Sequence, residues 1–74
     1  MRYRGLLDRK GELLAYLEGN VLYTLEGDVT GRIEDIYVVD TVGNKIWRII
    51  NDGVYTLDGN EAIGYFSSWT SDDD

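Results

Sequence analysis

Carboxylates are the only side chains whose number and spacing could support acid–base or metal chemistry in this chain. Asp8, Glu26, Asp28, Asp40 and Asp58 recur along it, and paired acids can flank a sugar for glycosidic cleavage or hold a hard cation. Histidine and cysteine are absent. That removes the commonest general base, the thiolate nucleophile and nearly all transition-metal sites. Each of the five acids lies close to a glycine, in stretches that read as tight turns, where a carboxylate accepts hydrogen bonds from nearby backbone N–H groups. Asp58-Gly59-Asn60-Glu61 has the composition of a calcium loop but not its twelve-residue ligand order, so a hairpin turn explains it better. Asp72, Asp73 and Asp74 read as a solubilising terminus. A chain of this size has little volume for a cleft between two acids. The reading is of a protein that is not an enzyme, with no catalytic, cofactor or metal residues. A small-molecule or ion-binding domain is the alternative, and a carboxylate-dependent enzyme a distant third.

The elements that would carry these turns repeat. Tyr23-Thr24-Leu25-Glu26-Gly27 returns thirty-two residues later as Tyr55-Thr56-Leu57-Asp58-Gly59, and Asp8 and Gly11 align with Asp40 and Gly43 at the same offset. Repetition at a fixed spacing describes architecture. Within each copy a finer unit places a small or aromatic residue, a long polar or tyrosyl one and an apolar one after the turn glycine: Ala15-Tyr16-Leu17, Gly31-Arg32-Ile33, Trp47-Arg48-Ile49 and Gly64-Tyr65-Phe66, the last displaced by one extra residue. Each unit reads as a β-hairpin, because Tyr, Val, Ile and Thr runs flank residues that tolerate positive φ. The fold class expected is all-β, with about eight short antiparallel strands in meander order from a duplicated two-hairpin unit, curled into a small barrel or a two-layer sandwich. The β domain spans residues 1–69, with halves of roughly 3–34 and 35–66, and 70–74 form an acidic, frayed tail, although Trp69 could fold back on the sheet.

Several local readings follow. Val29, Gly31 and Ile33 should share one face of a strand and Thr30, Arg32 and Glu34 the other. Ile36 to Val39 and Ile46 to Ile50 are apolar on both sides, as in central or doubly covered strands. Gly31 and Gly64 read as mid-strand bends that curl the sheet, and the extra residue before Gly64 as a bulge that re-aims Tyr65 and Phe66. Leu6, Lys10, Leu13, Leu14 and Leu17 also fit a helical stripe; Gly11 inside it favours a hairpin instead.

The stretch Val21 to Ile33, and again Val54 to Phe66, resembles short bacterial hairpin-repeat modules of uncharacterised function. Gly27 to Trp47, with Gly31-Arg32-Ile33-Glu34-Asp35-Ile36-Tyr37-Val38-Val39-Asp40, resembles the core strands of PRC-barrel domains, small β-barrels that act as docking modules. That resemblance implies a non-catalytic adaptor, and no functional residues carry over from either family.

The aromatic residues form the candidate interaction face: Tyr23, Tyr37 and Tyr55 are read as preceding the turns at matching positions, and Trp47 and Tyr65 as lying on return strands. Such residues are first of all core or cross-strand ladder residues, and become an interaction surface if exposed. Seventy-four residues with no cysteine or metal ligand lack the usual reinforcements of a small fold, so self-association is expected. Residues 29 to 39 contain no residue that readily turns the chain. They should either bend sharply or exchange a hairpin pair in a strand-exchanged dimer. The partners expected are thus a second copy and a further protein. The net charge of −7 argues against nucleic acid. Basic residues concentrate in Arg2, Arg4, Arg9 and Lys10, a cluster that could meet an acidic edge of a second copy. No apolar run has the length of a membrane span and the start lacks a signal peptide's hydrophobic block, so a cytoplasmic protein without membrane insertion is expected.

Overall fold

Short runs of β-branched and aromatic residues, cut by turn residues, fold into nine strands and, among the described residues 2–71 of this computed structural model, no helix. In chain order they are β1 (Arg2–Asp8), β2 (Leu13–Glu18), β3 (Val21–Tyr23), β4 (Val29–Glu34), β5 (Tyr37–Val39), β6 (Lys45–Ile50), β7 (Gly53–Tyr55), β8 (Ala62–Phe66) and β9 (Thr70–Ser71). The first eight follow a meander in which each strand is antiparallel to the next, and β8 pairs back on β1 through Phe66–Leu6, Tyr65–Leu7 and Gly64–Asp8. The sheet therefore closes into a small barrel. Closure pairs the strand edges that an open sheet would present to water or to another chain.

The core follows from this register. Leu6 lies between Phe66 and Ala15, Leu22 between Leu17 and Gly31, Val38 between Ile33 and Trp47, and Val54 between Ile49 and Gly64. These cross-strand partners form a continuous belt around the bore. Leu6, Val38 and Val54 have essentially no exposed surface, and Ile33, Trp47, Ile49 and Ile63 pack against the buried cluster. Ala15, Gly31 and Gly64 contribute almost no side-chain volume at the positions that correspond to Trp47, whose indole packs against the buried cluster.

Each of the four long-tipped hairpins, β1–β2, β3–β4, β5–β6 and β7–β8, also carries a bulge. The register slips at Leu14, Thr30, Ile46 and Ile63, just before Ala15, Gly31, Trp47 and Gly64. A bulge sharpens the local bend and twist of its strand. Gly31 and Gly64 then sit at the two seams between halves of the meander: a methyl on Gly31 would overlap the carbonyl of Val39, and one on Gly64 the carbonyl of Leu7. Backbones approach there as only glycine allows.

Residues 6–18 form the β1–β2 hairpin that Gly11 favoured over a helix, since their apolar side chains divide between the bore and the outer surface. Other expectations change. The 29–39 stretch does turn: Asp35 takes a φ of 59°, a conformation that aspartate tolerates better than most residues, and β4 folds back on β5. Val29 is exposed rather than sharing the inner face of Gly31 and Ile33, because the bulge at Thr30 interrupts the alternation. The extra residue of the fourth hairpin does not create its bulge, which all four have. It lengthens the tip, where Thr56 N–H donates to Glu61 while the other three tips close one residue earlier, as from Asp40 to Asn44. No second layer covers β6, on which Ile46 and Ile50 are exposed. Thr70 and Ser71, expected in a frayed tail, instead form β9 against Tyr3 and Arg2; the other expected tail residues, 72–74, lie outside the described residues.

The basic N-terminal strand is engaged within its own chain. Arg4 donates from Nε to the Ser67 carbonyl at 2.7 Å and from its terminal nitrogen to Asp52 at 2.8 Å. Its guanidinium lies 5.1 Å from the ring centres of both Phe66 and Trp69, and the Arg2 guanidinium lies at the same distance from the Trp69 ring centre. Trp69 thus folds back over the end of the barrel opposite the hairpin tips, where the cationic planes favour its ring.

Candidate functional site

Three of the five turn acids, Asp8, Asp40 and Asp58, accept the expected turn hydrogen bonds, whereas among the described residues the Glu26 and Asp28 carboxylates accept none. Asp8 Oδ1 accepts from the N–H groups of Lys10 and Glu12, and Asp40 Oδ1 from those of Val42 and Asn44. Thr24 and Thr56 occupy the corresponding tip positions in the other two hairpins, with hydroxyls that accept from Asp28 and Glu61 N–H. Asp58 accepts from the Thr56 hydroxyl at 2.6 Å and from Asn60 N–H at 3.0 Å. These bonds favour the ionised carboxylate and lower all three pKa values below the ordinary 3.8, led by Glu12 N–H at Asp8, Asn44 N–H at Asp40 and the Thr56 hydroxyl at Asp58. Among the described residues no three metal-ligating side chains come together. Asp8, Asp40 and Asp58 are turn clamps at the barrel rim.

The aromatic residues read together from the sequence do not form one row. Tyr37 and Tyr55 lie on either side of Arg48, on β5 and β7, and Lys45 Nζ stands 4.3 Å from the Tyr37 ring centre. Val39, not Tyr37, holds the strand position that matches Tyr23 and Tyr55, because Tyr37 begins its strand whereas the other two end theirs. Trp47 turns inward against the core. Tyr65 is exposed on β8, between Gly53 and Leu7. Tyr23 lines a recess.

That recess is an open groove of about 720 Å³ across the outer face of the first three strands and the β3–β4 tip, in which Tyr3, Tyr16, Tyr23, Glu18, Leu25 and Glu26 provide the chemistry. Alternation sends Tyr16 and Glu18 outward from β2 while Ala15 and Leu17 face the core. Register then places Tyr16 opposite Tyr23, and Glu18 opposite Tyr3. The Tyr3 and Tyr16 rings meet edge to face, with centroids 6.0 Å apart and planes at 77°, a preferred aromatic geometry. Tyr16 is 37% exposed and Leu25 51%, so the surface is both apolar and accessible. Tyr3, Tyr16, Glu18 and Glu26 were not among the residues singled out from the sequence for this face. The small–tyrosyl–apolar triplet Ala15-Tyr16-Leu17 was the one signal that could have pointed to Tyr16, but the pairing of β1 with β2 is what brings Tyr3 to it.

Chemically, the groove can stack, exclude some water from an apolar partner and offer two carboxylates. It lies open to solvent, so it does not enclose a substrate away from water. No protein-family model, curated protein or solved structure matches this chain.

Proposed function

We propose that the protein is a non-catalytic interaction module that presents the Tyr3–Tyr16–Tyr23 groove to a protein partner. The observation that carries this reading is the exposed tyrosine run on a rigid sheet, where rings are held by register and by the Tyr3–Tyr16 edge contact. Tyrosine supplies much contact area for few rotatable bonds, which is why it anchors binding surfaces. Support also comes from the acids: Asp8, Asp40 and Asp58 are committed to turn hydrogen bonds rather than to a cleft. A docking role agrees with the resemblance to PRC-barrel domains.

Panning a random-peptide display library against the wild type and a folded Tyr16→Ser variant tests the reading. Peptides that bind the wild type and lose the variant are expected. Recovery of none, or of peptides indifferent to both Tyr16→Ser and Tyr23→Ser, overturns it.

Self-association is a second reading, favoured by the exposure of Ile46 and Ile50 on β6. Light scattering across a concentration series should then show a mass above that of one chain, reduced by Ile46→Ser with Ile50→Ser. A single-chain mass at every concentration removes it.

A further inference from the structure

Glu18 and Glu26 give the tyrosine groove a charge as well as a shape. Glu18 stands opposite Tyr3 at one end, and Glu26 lies on the β3–β4 tip beyond Tyr23 at the other. No lysine or arginine lines the groove; Glu18 also borders a neighbouring recess with Arg2, but among the described residues neither carboxylate makes an ion pair. The faces of tyrosine rings are themselves electron-rich and attract cations. Rings and carboxylates therefore select the same kind of ligand, and both disfavour an anion. A purely apolar ligand would leave the two acids unused. A lysine or arginine side chain matches both parts, since its hydrocarbon stem can lie on the rings while its charged end stays near carboxylate and water.

We propose that this groove binds an extended, basic peptide segment, with lysine or arginine stems laid on the Tyr3, Tyr16 and Tyr23 rings and their charges compensated by Glu18 at one end and Glu26 at the other. The inference rests on reading the groove as an interaction face. A peptide fits better than a small ammonium compound, because the groove is open and its 720 Å³ far exceeds one ammonium group. Flanking residues of a chain would fill the remainder and contact Leu25, which is exposed at its edge. The net charge of −7 steers a basic segment toward the protein, and the groove decides where it settles. Binding on so open a surface is weak and falls as salt rises.

The test uses three capped hexapeptides, alternating threonine with lysine, glutamine or glutamate, titrated into isotope-labelled protein and followed by amide chemical shifts. The lysine peptide is expected to perturb Tyr3, Tyr16, Glu18, Tyr23 and Glu26 and to bind roughly tenfold more weakly to a Glu18→Gln, Glu26→Gln variant, which corresponds to about 1.4 kcal/mol. A charge-matched Asp35→Asn, Glu61→Gln variant should bind as the wild type does. If the two variants weaken binding equally, or the shifts scatter over the acidic surface, attraction is only to net charge and the proposal fails. If the glutamine peptide binds the groove as tightly as the lysine peptide, the groove remains an interaction face and the basic partner is wrong. If none of the three perturbs the groove, the interaction face is lost along with it. Dispersed amide spectra of each variant establish that the fold is intact.

Discussion

Gly64 on β8 faces the Leu7 carbonyl on β1 so closely that even a methyl group would collide with backbone. Gly31 stands in the same relation to Val39 at the β4–β5 seam. The two contacts lie where the curled meander changes halves, and the one at Gly64 also closes the barrel.

Gly64→Ala and Gly31→Ala should each destabilise the protein by at least about 1–3 kcal/mol, the usual cost of forcing extra volume into a packed site, because the opposing atom is backbone and cannot rotate away. Gly19→Ala is the control: it has open space around it but a φ of 61°, and should cost only about 1 kcal/mol. Urea unfolding midpoints of the three variants check the order. Equal losses would show that seam packing does not govern closure.

Arg4 holds the closed end through the Ser67 carbonyl, Asp52 and the Phe66 and Trp69 rings. Arg4→Met keeps much of the stem but leaves Ser67 without its donor, and should destabilise by about 1–3 kcal/mol. Asp52→Asn removes only an exposed ion-pair partner and should cost less than about 1 kcal/mol. Trp69 emission should shift toward that of solvated indole in Arg4→Met, most clearly in a Trp47→Phe background. An unchanged spectrum would show that Trp69 is held independently of Arg4.

Acid should weaken the hairpin tips in a definite window. The folded pKa values of Asp8, Asp40 and Asp58 lie below the ordinary 3.8, so their contribution is fully present above that value, and is lost as pH falls through it to the lower folded values. Thermal midpoints measured from pH 6 to pH 2 should drop most steeply in that acid range. Asp8→Asn with Asp40→Asn should flatten the drop, because both variants remove a carboxylate whose ionised form the turn N–H groups stabilise.

Asp35 makes the β4–β5 turn at a φ of 59°. Asp35→Val should destabilise by about 1–2 kcal/mol, since a β-branched side chain is poorly accommodated in the left-handed region. Asp35→Gly should be far milder. A mild effect of valine in thermal unfolding would mean that the turn can relax to another shape.

Much of the fold was legible because both strand alternation and turn chemistry are local. The triplets Ala15-Tyr16-Leu17, Gly31-Arg32-Ile33, Trp47-Arg48-Ile49 and Gly64-Tyr65-Phe66 marked the four return strands, and alternation placed Gly31 and Ile33 on one face and Arg32 on the other, as the structure does. The turn at Asp35 was obscure, since positive φ there relies on a residue that only tolerates it. The bulge at Thr30 was equally hidden, and with it the exposure of Val29. Tyr3 and Tyr16 belong to strands on opposite arms of a hairpin whose register no single arm specifies. Their meeting could not be read from either one.

Residue types alone determined that this chain makes hairpins, spends Asp8, Asp40 and Asp58 on turns and carries no histidine or cysteine chemistry, since each of these depends on neighbours a few positions away. Tertiary structure decided which edges join, that Trp47 packs against the core, that Trp69 folds back to the guanidinium groups of Arg2 and Arg4, and that Tyr3, Tyr16 and Tyr23 share a groove with Glu18 and Glu26. Those outcomes depend on how long-range strand pairing balances backbone approach at Gly31 and Gly64 against the packing of the whole belt, a competition that has no local signature.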